Sequence, residues 1–97
     1  MHTIINSINL TEYKGLKVSK VVDVHATEIM KVAIEKGTEF PNHISKTDVT
    51  LIVLEGSLSF FIDGQKIELR KHQVFQFPRN EPHSVNALEN SKFLLIK

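Results

Sequence analysis

The chain of 97 residues contains no cysteine and no tryptophan, and it has only four glycines and three prolines. Without cysteine it can form neither a disulfide framework nor a thiolate metal site, and it has no cysteine nucleophile. The chain has twelve Lys and Arg residues and eleven Asp and Glu residues, which give a net charge of +1. These charged residues are scattered along the sequence. The sequence therefore lacks the basic face that binding to nucleic acid requires.

No apolar run reaches the roughly 18 residues of a membrane-spanning helix, and the N-terminus lacks the pattern of a cleaved signal peptide. We therefore expect a soluble, cytoplasmic protein with no membrane partner. The length fits one globular domain, with an N-terminal lead-in at 1–16 and the folded domain at 17–97. A domain this small leaves much of its surface exposed, so we expect it to bury a further face in a homodimer.

Short runs of Val, Ile, Leu and Phe recur between turn-forming residues, which favours an all-β fold, either a sandwich or a closed barrel. The Asp63-Gly64 pair predicts a tight hairpin, because both residue types tolerate positive φ. The best helix candidate, at 7–13, is too short to carry weight, and an irregular lead-in is the alternative. The predicted strands are 17–24, 28–35, 42–45, 49–54, 57–63, 65–70, 74–78, 83–87 and 92–96.

Apolar side chains alternate with others along the second predicted strand, where Met30, Val32 and Ile34 share one face. This alternation is typical of a half-buried strand and predicts a wall of the core. We expect the six phenylalanines to pack in the core or in a dimer interface.

Two stretches of the chain resemble the paired sequence motifs of the cupin superfamily. The first runs from Gly37 through His43 to Gly56, and the second runs from His72 to His83. The resemblance covers about residues 17–96. It implies a small jelly-roll β-barrel, or double-stranded β-helix, in which inward His, His, Glu and His side chains hold one divalent metal ion.

Position by position, the ligand set that the resemblance implies is incomplete. His43 matches the first ligand and His83 matches the last. Ser45 stands where the second histidine is expected. The glutamate position falls on Val49, or on Thr50 if the longer of the two spacings is taken.

The second motif departs from the family pattern as well, because His72 and Asn80 stand at its glycine positions and Ala87 at its final asparagine. His43 and His83 alone would offer a divalent ion two neutral donors and no balancing negative charge. We therefore expect no cofactor, or a weakly bound divalent metal. Strand alternation places Asp48 opposite the Val49 face, so it could substitute as a carboxylate only if a turn at 45–48 broke that alternation.

A ligand pocket is predicted from His43, Ser45, Gln76 and His83. The two histidines either bind a ligand or move a proton, or they form a hydrogen-bonded polar pair. Ser45 has the same parity as His43 on the predicted strand, whereas Gln76 faces either the pocket or solvent. No catalytic residue is assigned, because neither a nucleophile nor a carboxylate base accompanies the histidines.

The function predicted from these features is binding or sensing of a small molecule in the barrel, without a complete metal site. The alternative is a metal-dependent cupin enzyme of the dioxygenase, isomerase or decarboxylase type, in which His43 and His83 act with a non-standard third ligand. A purely structural or interaction role is a third possibility. Fold alone does not decide among them, because one barrel supports many chemistries.

Overall fold

The computed structural model describes residues 2–97 and contains nine β-strands and no helix within that range. The all-β prediction is therefore confirmed. No segment of these residues forms a helix long and apolar enough to cross a membrane. The strands are β1 Leu16–Val24, β2 Thr27–Ile34, β3 Glu39–His43, β4 Val49–Glu55, β5 Ser57–Ile62, β6 Gln65–Arg70, β7 Val74–Phe77, β8 His83–Ala87 and β9 Ser91–Ile96.

The strands form two antiparallel sheets, one with the order β1-β2-β9-β4-β7 and one with the order β3-β8-β5-β6. Their inner faces enclose the core. In β2 the predicted core wall is confirmed, because Val32 and Ile34 are buried and Met30 packs partly against the core, although Ala33 on the opposite face is buried as well. Each fully buried side chain of this kind stabilises the fold by about 1.5–3 kcal/mol. The largest fully buried side chains include Phe60, Phe93, Ile34, Leu51 and Leu58.

Two turns depend on backbone conformations that glycine adopts easily. Asp63 and Gly64 have φ values of 51° and 68° and form the predicted β5–β6 hairpin. Gly56 has a φ of 82° and lies against the chain before β9. A Cβ there would overlap Ser91 Oγ and the Asn90 carbonyl and would come within 2.8 Å of Ser91 Cα.

The N-terminal lead-in differs from the weak helix prediction. Its backbone makes a single turn, in which the Leu10 amide donates to the Asn6 carbonyl at 3.2 Å. The segment is instead held flat on the outer face of the five-stranded sheet, since Lys31 Nζ donates to the Ser7 carbonyl at 2.7 Å and Tyr13 donates to Glu55. Tertiary packing on the sheet thus replaces a helix that was too short to form alone.

One end of the barrel is defined by four strand ends. Strand β3 ends at His43 and β4 begins at Val49, while β7 ends at Phe77 and β8 begins at His83. Residues 44–48 and 78–82 therefore both pass from one sheet to the other at this end. We call these two segments the mouth loops.

Candidate functional site

The two histidines face each other across the β3–β8 pair, at the last register position of these strands. Their ring centroids lie 4.2 Å apart in an edge-to-face arrangement. On β3 the register shifts between Phe40, which opposes Val85, and His43, which opposes His83. The shift inserts one extra residue into β3, and a bulge of this kind turns both Phe40 and His43 toward the interior. Simple alternation would have placed them on opposite faces.

Each imidazole is held by a backbone carbonyl two residues earlier in the chain. His43 Nδ1 lies 2.7 Å from the Pro41 oxygen, and His83 Nδ1 lies 2.9 Å from the Glu81 oxygen. Because a carbonyl oxygen only accepts hydrogen bonds, each Nδ1 carries a proton, and in the neutral form of the ring Nε2 is the acceptor. Neither Nε2 makes a hydrogen bond within residues 2–97. Neither is among the fully buried atoms that lack a partner, which are Ser7 Oγ and Ser59 Oγ, so both nitrogens keep some contact with solvent. The pair therefore offers two fixed acceptors.

Aromatic rings surround the histidine pair. The Phe60 ring stacks on His83 at 5.5 Å, the Phe77 ring lies 4.6 Å from His83, and the Phe40 ring stacks on His43 at 4.4 Å. The cavity left between these side chains measures about 10 Å³. That is close to the minimum that holds one water molecule.

This burial sets the protonation state of His83, which is 4% exposed. Loss of hydration lowers the pKa of His83 below its ordinary value, and the nearby His43 and Lys97 lower the pKa further. The Glu81 carbonyl opposes the shift by stabilising the protonated ring. His83 is therefore a neutral imidazole at neutral pH.

Of the four predicted pocket residues, the structure brings His43 and His83 together and turns Gln76 outward. Strand β3 ends at His43, so alternation does not extend to Ser45, whose Oγ accepts a 3.4 Å hydrogen bond from the Thr47 amide. Gln76 is exposed on the outer face of β7 and donates to Thr50 Oγ1 at 3.1 Å. Gln76 therefore lies outside the site, whereas Ser45 is buried and its contact with the histidines stays a prediction.

The aromatic residues around the pair were expected only as core or interface packing. Phe40, Phe60 and Phe77 in fact form the walls against which the two imidazoles lie. The spacing of Phe40 to His43 gives no signal of this contact, because a three-residue step on a regular strand predicts opposite faces. Phe75 and Phe77 do share the inner face of β7, as the alternation with Val74 and Gln76 indicates.

The structure also decides between the two glutamate positions that the spacing allowed. Val49 is buried in the core, whereas Thr50 points outward to Gln76. Asp48 is exposed at the mouth, where its Oδ1 accepts hydrogen bonds from the Arg79 amide at 3.0 Å and Nε at 3.2 Å. It is therefore not positioned as a substitute ligand.

These residues do not fit a tightly held divalent ion. Within residues 2–97 no group of three or more His, Cys, Asp or Glu side chains could hold a metal. Two neutral imidazoles provide no balancing charge, and a cavity of about 10 Å³ leaves no room for the waters that would complete the coordination shell. We derive no chemistry through a metal at this site.

The two facing antiparallel sheets have the architecture of a double-stranded β-helix. Known protein structures with this fold superpose on the chain. A cupin superfamily protein from Desulfitobacterium hafniense superposes with a TM-score of 0.85 at 18% identity, over 100% of this chain and 91% of that one. An RmlC-like cupin protein from Desulfovibrio desulfuricans gives 0.84 at 24% identity, over 99% and 95%. An RmlC-like cupin with a double-stranded β-helix fold from Methanocaldococcus jannaschii gives 0.75 at 22% identity, over 89% and 85%.

The sequence profile of the family described as Cupin domain matches residues 30–96. The chain therefore belongs to the cupin family, and the jelly-roll prediction is confirmed. No curated protein matches the chain. The structural similarity extends to the fold, and the activity must be argued from the site itself.

Proposed function

We propose that this cupin binds a small molecule through His43 and His83, without requiring a resident divalent metal. The observation that carries the proposal is the pair of opposed imidazoles, each held at Nδ1 by a carbonyl and each with an unpartnered Nε2. The fold uses only one nitrogen of each ring, so both Nε2 atoms are available to a ligand.

The chemistry of the pair indicates the class of ligand. Two neutral Nε2 acceptors recognise an O–H or N–H donor, and the phenylalanine walls disfavour a charged group that would lose its hydration. A cavity of about 10 Å³ admits one hydroxyl-sized or amine-sized head group. We therefore propose a neutral alcohol, phenol, sugar or protonated weak acid, whose remaining atoms extend toward the mouth loops.

Elemental analysis and a thermal-shift screen test this proposal together. Purified protein should carry well under one metal ion per chain, and at least one compound among small acids, sugars and phenols should raise the melting temperature. His43→Phe and His83→Phe keep an aromatic ring but remove the acceptor, so each should abolish that shift. His2→Ala, in the exposed lead-in, is the matched control and should retain it.

Two results would contradict the proposal. A full equivalent of tightly held iron, manganese, nickel or zinc would favour the metal-dependent alternative, and its loss in both His43→Ala and His83→Ala would locate the metal at this pair. A screen in which every stabilising compound acts equally on the parent and on His83→Phe would place binding elsewhere.

We further propose that the partner of this chain is a second copy. The outer face of the five-stranded sheet carries the half-buried Ile52, Leu94 and Ile96 beside Val74, which is 60% exposed.

Sedimentation analysis tests the homodimer. Val74→Glu places a charge in the apolar face and should shift the parent dimer to a monomer, because an unpaired charge in an interface core opposes association. Leu88→Glu is the control, since Leu88 is 41% exposed but follows β8 of the other sheet. A monomeric parent protein, or equal effects of both changes, would contradict the proposed interface.

A further inference from the structure

The two mouth loops are direct continuations of the strands that carry the histidine pair. Residues 44–48 follow His43 at the end of β3, and residues 78–82 precede His83 at the start of β8. Both loops connect the four-stranded and five-stranded sheets at the same end of the barrel. They therefore lie at the end of the barrel that holds the two imidazoles.

Three hydrogen bonds join one mouth loop to the other. The Asn80 amide donates to the Ser45 carbonyl at 2.8 Å. The Arg79 amide and Nε both donate to Asp48 Oδ1, at 3.0 and 3.2 Å. Since each bond links residues more than 30 positions apart in sequence, they fasten two separate segments rather than stabilise a local turn.

The backbone of the second loop is shaped for this contact. Asn80 adopts a φ of 64°, a left-handed conformation that asparagine tolerates better than most residues. Pro78 and Pro82 flank it, and each fixes its own φ and contributes no amide donor. The loop thus has few alternative conformations and presents the Arg79 and Asn80 amides to the other loop.

The contacts between the two mouth loops are weak enough to break while the protein stays folded. The Arg79 and Asp48 side chains are 58% and 68% exposed. An ion pair this exposed contributes little to stability, so it can be broken at small cost while the β-sheets stay intact. The cavity at the histidine pair, at about 10 Å³, is too small to hold a molecule larger than water. It is lined by strand residues, among them His43 and His83, which the mouth loops directly continue.

We propose that the Ser45–Asn80 and Asp48–Arg79 contacts form a latch, whose opening admits molecules larger than water to the His43–His83 pair. The use of this access rests on the proposed binding function. The access itself can be measured without a ligand, because an unprotonated imidazole reacts with diethyl pyrocarbonate, which the closed cavity cannot hold.

The experiment follows carbethoxylation of each histidine by peptide mass mapping at neutral pH. In the parent protein, His83 should react much more slowly than the exposed His2 and His25, which act as internal standards. Asp48→Ala removes both Arg79 contacts and should raise the His83 rate roughly five- to tenfold, as expected for loss of one or two weak hydrogen bonds. Arg79→Gln removes the Nε contact alone and should give a smaller increase.

Glu68→Ala is the matched control, because it removes the 3.0 Å Arg70–Glu68 ion pair on β6, away from the mouth. It should leave the His83 rate unchanged. Thermal melting of each variant separates local opening from unfolding, and a variant that melts early is replaced by the milder Arg79→Gln. The latch is overturned if His83 in the parent reacts as fast as His25, or if Asp48→Ala and Glu68→Ala have the same effect.

Failure of the latch and failure of the binding function are distinguishable. A faster His83 reaction in Asp48→Ala, together with no His83-dependent ligand in the thermal screen, would support the latch and reject the binding function. A His83-dependent ligand, together with an unchanged His83 reaction rate in Asp48→Ala, would support the binding function and reject the latch.

Discussion

The regions of the two cupin motifs differ in what each has kept. The first, at 37–56, retains both motif glycines but has lost two ligand positions, whereas the second, at 72–87, retains its histidine but has lost both glycines. In the structure all four glycine positions nevertheless have positive φ: 83° at Gly37, 82° at Gly56, 73° at His72 and 64° at Asn80.

The comparison shows that the backbone path and the metal ligands are separable. The turn at His72 still directs its amide to the Val53 carbonyl at 2.7 Å, and the turn at Asn80 still directs its amide to Ser45. These bonds connect strands or loops and require the positive φ, whichever residue supplies it. Ser45 and Val49 are not under this backbone requirement. A metal ligand can therefore be lost at either position without preventing the barrel from forming.

The largest effect is expected for Gly56→Ala. The added Cβ would both strain the positive φ and overlap the backbone of Asn90 and Ser91, so we expect a loss of about 3–5 kcal/mol in the free energy of unfolding. Gly37→Ala meets open space and should lose only about 1–2 kcal/mol from the backbone strain. Chemical denaturation measures both, and equal losses would show that crowding at Gly56 is unimportant.

Restoring the two lost metal ligands should give the barrel a metal affinity that the parent protein lacks. Val49 is buried and pairs with Phe77, whose ring lies 4.6 Å from His83, so Val49→Glu combined with Ser45→His should place a carboxylate near the pair. We expect zinc or nickel affinity to rise by roughly a hundredfold or more, measured by calorimetry.

The matched control for the rebuilt set is Thr50→Glu with Ser45→His. Thr50 points outward, so this variant should gain little affinity. An equal gain in the two variants would mean that the inward direction of Val49 does not matter.

The histidine kept in the second region should make stability depend on pH. Burial lowers the pKa of His83 from its ordinary 6.5, so in the acid range the unfolded chain binds more protons at this residue than the folded chain. Stability from this group is therefore full above about pH 6.5 and is lost as the pH falls through the pKa of the folded state. His83→Phe should flatten that decline in denaturation midpoints measured between about pH 8 and pH 5. Parallel curves for parent and variant would rule out His83 as the source.

The smallest effect concerns the replaced glycines of the second region. His72→Gly removes the backbone strain of a histidine at positive φ, but it also raises the conformational entropy of the unfolded chain. We therefore expect the free energy of unfolding to rise by only about 0.5 kcal/mol. Asn80→Gly should be nearly neutral, because asparagine already tolerates this conformation. Denaturation midpoints measure both, and a clear loss in His72→Gly would mean that its side chain supports the turn.

Much of the fold could be predicted from local signals. The predicted strands at 65–70 and 83–87 match the observed bounds, and the others except β3 lie within one or two residues of them, because alternation and turn residues act over a few positions. Strand β3 was misplaced at 42–45, since the signal for a bulge at 41–42 lies in its pairing with β8.

The sequence by itself determined the barrel, the Asp63-Gly64 hairpin, and the absence of ligands at Ser45 and Val49, because these follow from residue type, short spacing and motif order. The tertiary structure alone decided that His43 turns inward to meet His83, that Gln76 turns away, and that the mouth loops fasten together. These outcomes depend on which strand lies opposite and on hydrogen bonds between distant segments. No local pattern encodes such partners.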